Sequence, residues 1–385
     1  MLKNDKKIDP MSEKASFFSR FRTKSGNIET NSKPSTPETL TRSSSTNLKR
    51  ELQIEQLLQE PIIDLEKIRN MAWAGIPSQH RARIWRLFLD YEPVNTSLTE
   101  QTLIHKRGDY FDCMGRVYGE SQRNYWTNAQ KTTISQIQKD LPRTSVAILR
   151  NLRVKNLFER VLFVYSVRHP ASGYVQGMND VLQPFFFAFL LPFVPDCATA
   201  RDLAMKENID EVDEKTLQEV EADCFWCFSK LLDGLQDLYT KDQPGLYKML
   251  ESLQNIVDRV APELSKHIMK EEIQYQEFAF RWVNCLLVRE FSMEITFRIW
   301  DSYLARHNHV ATTHIYVCAA MMEFLSAKLI PLNHSEFVIF LQSIDPASWT
   351  KDSIEEIFAQ AYVYEGMFSR SPSHLKSASM PSLLK

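Results

Sequence analysis

Apolar residues along the middle of this chain recur with the period of a helix rather than the alternation of a strand. Leu152, Phe158, Val161, Leu162 and Tyr165 fall on one helical face, and so do Phe225, Trp226, Phe228, Leu231, Leu232 and Leu235. Phe278, Trp282, Cys285, Leu286 and Phe291 repeat the pattern, and Ile134, Ile137 and Leu141 form a shorter version of it. The pattern predicts an all-α body. With only 10 glycines the chain lacks the turn residues that many short strands require, which excludes an all-β fold. No Trp or Gly pattern recurs at a fixed step, so a solenoid of identical units is also excluded.

The helical pattern has edges. Residues 1–50 carry 11 basic and 5 acidic residues and 15 Ser or Thr with few apolar pairs, and are expected to form a disordered tail. Residues 51–69 are a helical lead-in, residues 70–365 the folded body, and residues 366–385, again Ser-rich, a second disordered tail. From about Asp196 to Val220 the chain turns acidic, which predicts a boundary between a first lobe at about 70–200 and a second at about 215–365. A length of 385 residues fits two such lobes plus tails.

Charge and composition narrow the function. The net charge is −2, which gives no footprint for nucleic acid. It divides into a +6 tail and a −8 body, and the Ser35-Thr36-Pro37 and Arg42 to Thr46 strings in the tail suit phosphorylation and docking to an adaptor. No apolar stretch follows the first charges, so a cytosolic start is expected. The most apolar run, Phe185 to Leu191, is bracketed by Pro184 and Pro192 and falls far short of the roughly 20 residues that span a bilayer. The six cysteines are read as reduced thiols, with Cys224 and Cys227 on a buried helix face rather than at a metal. His307, His309 and His314 are read as part of a polar loop. Neither a Gly-x-x-x-x-Gly-Lys-Ser/Thr loop nor a Gly-x-Ser-x-Gly elbow occurs, so a P-loop hydrolase is excluded and no metal or cofactor site of its own is expected.

Three strings carry chemistry. In Trp73 to Trp85, Gly75 and Pro77 set a turn, Ser78 is a candidate cap, and Arg81 and Trp85 share a helix face. In Ile134 to Thr144, Pro142 is expected to hold Leu141 out of the helical region, presenting Arg143 just past a helix end with Asp140 as a bidentate partner. In Ser172 to Asp180, two glycines permit close backbone approach, and the Gln176 carboxamide both donates and accepts.

In this order and spacing the three strings resemble the TBC domain of Rab GTPase-activating proteins, over about residues 70–365. Glu221 to Trp226, Phe280-Arg281-Trp282, Arg289-Glu290-Phe291 and Trp300-Asp301 extend the resemblance, which leans toward the branch that includes a yeast Golgi activator of Ypt GTPases. The resemblance implies a two-lobed, V-shaped helical fold that lends side chains to a GTP-bound Rab-family partner. Arg143 matches the arginine finger of an Ile-x-x-Asp-x-x-Arg motif, with Ile137 and Asp140 in place. Gln176 matches the glutamine finger of a Tyr-x-Gln motif, with Tyr174 as its packing residue. GTP and Mg²⁺ then belong to the partner, and membrane association, at the Golgi by this resemblance, runs through partners. Arg81, Trp73, Trp85, Trp226, Trp282 and Trp300 are expected in the core. The chain departs from the family at Leu89-Asp90-Tyr91, where Leu-Gly-Tyr is usual, and at His80. The alternatives are a non-catalytic Rab-binding scaffold and a phosphorylation-dependent adaptor.

Overall fold

The structure, a computed structural model, describes residues 37–143, 146–306 and 309–368. Most of both expected tails, residues 1–36 and 369–385, and His307 therefore lie outside the described residues. Residues 53 onward form one compact unit. The described residues are helical, with Ile62 and Asn95 making one isolated antiparallel bridge.

The first helix among the described residues, α1 (Pro37–Gln59), falls largely within the segment read as a disordered tail. The sequence does carry a start signal there, a proline at the first helical position followed by Glu38. At the other end the last helix runs to Phe368, three residues into the expected tail.

Helices α2 (Leu65–Ala72), α3 (Ser78–Phe88), α4 (Thr99–Tyr118), α5 (Asn128–Asp140), α6 (Leu152–Arg168), α7 (Met178–Leu190), α8 (Ala200–Met205) and α9 (Glu214–Asp233) follow. Every residue of α7 is buried, and the helix runs through Pro184 rather than breaking there. α9 packs on α7, α6 and α4, so it belongs with the first group of helices. The lobe boundary drawn at 196–220 is therefore too early. The acidic stretch holds α8, the turns after it and the start of α9, and just beyond it Glu221 and Asp223 are buried within the first group.

The second group is α10 (Pro244–Val260), α11 (Pro262–Lys270), α12 (Tyr275–Asn284), α14 (Val310–Leu329), α15 (His334–Gln342) and α16 (Lys351–Phe368). Helix α13 (Met293–Ala305) touches α2, α3, α7 and α8 on one side and α14 on the other, joining the groups. α14 is long and apolar enough to cross a membrane, but it is a core helix packed on α10, α13 and α16. His314 is on this helix, fully buried, rather than in a polar loop. Its Nδ1 is 2.9 Å from the Tyr303 hydroxyl, and burial lowers its pKa to about 3.

Buried carboxylates fasten the helices to one another. Asp301 on α13 is fully buried and accepts from Arg81 Nε at 3.0 Å, Arg81 Nη2 at 3.1 Å, Trp85 Nε1 at 2.8 Å and the Ile76 amide at 2.8 Å. Gly75, at φ +89°, makes the turn that delivers that amide. Ser78 is the first helical residue and makes no cap, because Pro77 precedes it as the flanking residue. Asp223 accepts from Tyr91, Arg86 and Arg107, and Glu221 from Arg160 and Tyr110. Asp90, where the family usually has glycine, takes φ +55° and pairs with Lys230 at 2.9 Å. Aspartate tolerates this left-handed position better than most side chains. Trp73 packs on Phe358 and Tyr362 of α16, while Trp85, Trp282 and Trp300 are fully buried.

Asp301→Ala strands Arg81 and the Trp85 indole, and should lower the urea unfolding free energy by about 3–5 kcal/mol. Lys266→Ala, which breaks the exposed pair with Glu263, should change it by less than about 1 kcal/mol. For His314 the folded pKa is below the unfolded value of 6.5, so its contribution is present above 6.5 and lost as pH falls toward 3. His314→Gln should therefore flatten the fall in stability between these pH values relative to wild type.

Candidate functional site

Arg143 is placed by the end of α5. Thr127 and Gln130 make a reciprocal capping box at its start, and Ile134 and Ile137 bury its inner face against α6. At its end Leu141 stays in the right-handed helical region, at φ −56° and ψ −42°, contrary to the expectation from Pro142. Proline only disfavours that region in the preceding residue; what it removes outright is its own N–H, and the chain tightens into a 3₁₀ turn over Leu141–Arg143. Arg143 therefore still emerges at a helix end, with its side chain 63 % exposed.

Asp140 lies beneath it, 2 % exposed. Arg143 Nη1 donates to Asp140 Oδ1 at 2.9 Å. The expected two-point pairing does not form, because Oδ2 is occupied by the Tyr174 hydroxyl at 3.1 Å and Gln136 Nε2 at 3.0 Å. The guanidinium is thus anchored at one corner, and among the described residues its other N–H groups meet no second carboxylate. Burial, then the Asp140 charge, pushes the Tyr174 phenol well above its usual pKa, so it remains a donor.

Gln176 is on the loop between α6 and α7. His169 ends α6, and its carbonyl accepts from the Ser172 and Gly173 amides at 3.1 and 2.8 Å. α7 starts at Met178, with Gly177 as its cap at φ +105°. A Cβ on Gly177 would lie 2.3 Å from Asn284 Nδ2. That close approach allows Asn284 Nδ2 to donate to the Gln176 carbonyl at 2.7 Å. Asn284 is itself held by Gln243 Nε2 at 3.1 Å and, through its carbonyl, by the Tyr239 hydroxyl at 2.9 Å. The backbone of Gln176 is fixed from the second helix group while its side chain is exposed.

Arg143, Gln176 and Asp140 line one cavity of about 870 Å³, with Asp180, Asn284 and Arg289. Burial raises the Asp180 carboxyl and raises the Cys285 thiol well above the usual range, so Cys285 stays protonated and is no nucleophile. After α12 the backbone reverses through two consecutive left-handed residues, Leu286 at φ +47° and Leu287 at +63°. Such non-glycine positions cost roughly 1–2 kcal/mol each. They carry the chain round to Arg289 on the cavity and to Glu290, which takes Arg281 at two points, 2.6 and 2.7 Å.

The structure thus brings Arg143, Gln176, Asp140 and Tyr174 together, and sets Trp73, Gly75, Pro77, Arg81 and Trp85 apart from them as packing. Asn284 and Gln243 were missed by sequence reasoning. Asn284 had a signal, a lone amide among the apolar positions of the Phe278 to Leu287 run. Gln243, at the start of α10, had none. Chemically the site offers a guanidinium and a carboxamide, both exposed, over a buried carboxylate, an arrangement suited to completing an active site on another molecule.

The Rab-GTPase-TBC domain model matches residues 78–330. GTPase-activating protein gyp1 of Schizosaccharomyces pombe is 38 % identical over 324 residues, covering 83 % of this chain and 62 % of that protein. TBC1 domain family member 22A of Mus musculus is 37 % identical, covering 84 % and 61 %. The chain thus spans about three fifths of the length of these relatives. The crystal structure of the Ypt/Rab-GAP domain of Gyp1p superposes with a TM-score of 0.78 at 34 % identity, covering 83 % of this chain and 99 % of that one.

The Gly177 geometry makes a prediction. Gly177→Ala should lower the urea unfolding free energy by more than about 1 kcal/mol, from the positive φ and the clash with Asn284. The penalty should shrink when the alanine is introduced into an Asn284→Ala background, where the clash is gone.

Proposed function

This chain belongs to the Rab-GTPase-TBC domain family, and on that premise we propose that it is a GTPase-activating protein lending Arg143 and Gln176 to a GTP-bound Rab-type GTPase. The observation that carries the reading is that both side chains are exposed on one cavity while Asp140 holds the Arg143 guanidinium at one corner and Asn284 holds the Gln176 backbone.

In GTP hydrolysis negative charge spreads over the oxygens of the transferred phosphoryl group. A guanidinium inserted in trans stabilises that charge and is worth about 10³–10⁵ in rate. Arg143 supplies it, pivoting on its single bond to Asp140. The attacking water must be held in line, and the Gln176 carboxamide does this by accepting from the water and donating to a phosphoryl oxygen. Nucleotide and Mg²⁺ are bound by the partner, so this chain contributes donors and position only. On this reading it works in the cytoplasm on membranes where the partner is anchored, and the resemblance to the branch with a Golgi activator supports Golgi membranes among them.

The test is single-turnover GTP hydrolysis by a panel of GTP-loaded Rab proteins with the full chain. Wild type should accelerate a few members by orders of magnitude. Arg143→Ala and Gln176→Ala should each cut the acceleration by about 100-fold or more; Gln176→Ala should leave unfolding unchanged, since its side chain is exposed, whereas Arg143→Ala removes one donor from buried Asp140 and should lower stability while the chain stays folded under assay conditions. Binding to GTP-loaded Rabs with hydrolysis at the intrinsic rate throughout the panel would replace this reading with the scaffold.

A further inference from the structure

A second cavity, of about 270 Å³, lies between the end of α6, α4, α9 and the Leu89–Tyr91 turn. Among the described residues, two cations that line it have no carboxylate in ion-pair contact, and a hydroxyl that lines it has no hydrogen-bond partner. The Arg168 guanidinium lies over Phe225 and Trp226, 5.7 and 5.4 Å from their ring centroids, with no carboxylate partner among the described residues. Lys106 Nζ donates to the backbone carbonyls of Asp90 and Tyr91 at 3.0 and 3.2 Å, so no carboxylate holds its charge. Burial lowers its pKa accordingly. Ser229 is 7 % exposed, and its hydroxyl is buried without a hydrogen-bond partner.

The acids of this cavity lie against other side chains. Asp90 pairs with Lys230 at 2.9 Å, and Asp233 lies 3.7 Å from His169 Nε2. What remains is two cations and a hydroxyl, contributed by three different helices and flanked by aromatic rings. Donors converging from three sides suit a tetrahedral oxyanion better than a planar carboxylate. The volume takes a phosphate and the few atoms that carry it.

We propose that this cavity binds a single phosphate monoester carried on a serine or threonine side chain. A membrane headgroup fits less well, because a bilayer asks for a broad basic face, and here the two unpaired cations sit in a recess between helices beside the Asp90–Lys230 pair, whose charges cancel, and Asp233. The site is separate from the finger cavity, and Arg168 and His169 are the residues from which the Gln176 loop springs.

The experiment is ¹⁹F NMR of the full chain labelled with 5-fluorotryptophan, with the Trp226 resonance assigned from Trp226→Phe. The probes are a short phosphoserine peptide, its unphosphorylated form, inorganic phosphate, and vesicles containing phosphatidylinositol 4-phosphate. The Trp226 resonance should shift saturably with the phosphopeptide, at concentrations at least tenfold below those needed of the unphosphorylated peptide. Arg168→Gln should weaken the response at least tenfold, with the other tryptophan resonances unmoved as proof of folding, and Lys266→Gln should leave it intact. An unmoved Trp226 resonance, an equal response in Arg168→Gln, an inorganic phosphate response as tight as the peptide's, or a response to vesicles alone would each overturn the proposal.

Discussion

One buried carboxylate, that of Asp140, ties together the two segments on which the site depends. One oxygen holds the guanidinium of Arg143 and the other holds the hydroxyl of Tyr174, two residues before Gln176. A charge this deeply buried is tolerated only when its lone pairs are filled, and here donors from α5, the 3₁₀ turn and the glutamine loop fill them. The cost of burying the carboxylate thus sets the relation between the two segments. Asn284 completes the constraint by fixing the Gln176 backbone from α12. Preorganisation of this kind spares the reorganisation that two exposed, flexible side chains would otherwise undergo as a partner's transition state forms.

The same principle recurs through the framework. Asp301, Asp223, Glu221, Glu92 and Glu290 are buried acids, each met by arginine. Replacing such pairs with apolar residues is often neutral for stability, so their value here is better sought in geometry: each admits one arrangement of the helices that supply its donors. Asp301 binds the turn before α3 to α13, and α13 is the helix that touches both groups. The cavity that carries Arg143 and Gln176 is walled by both groups, so these distant pairs bear on its shape.

Much of this was legible in the sequence because burial imposes a period. The faces around Ile134 and Ile137, around Phe225 to Leu232, and around Phe278 and Trp282 had to be helical, and Arg143 was correctly expected at a helix end. The errors have separate causes. Leu141 kept its helical conformation because a conformational preference of the residue before proline is weak beside the capping bond from its own amide to Ile137. The acidic composition of 196–220 suggested a boundary, but α9, which begins within it, runs on to Glu221 and Asp223, and Arg160, Arg86 and Arg107, more than 60 residues away in sequence, hold these two acids in the first group. His314 gave no sign that Tyr303 and the core would keep it neutral. Asn284 and Gln243 act on Gln176 across more than 60 residues of chain, through contacts that no local pattern encodes.

The central claim is that Gln176, rather than the partner, positions the attacking water. The most direct measurement is single-turnover hydrolysis by a responsive Rab whose own catalytic glutamine is replaced by leucine. The account predicts that the full chain still accelerates this variant to within about tenfold of the unmodified Rab, and that Gln176→Ala abolishes the effect. Loss of acceleration in the Rab variant, together with its survival when Gln176→Ala acts on the unmodified Rab, would contradict it.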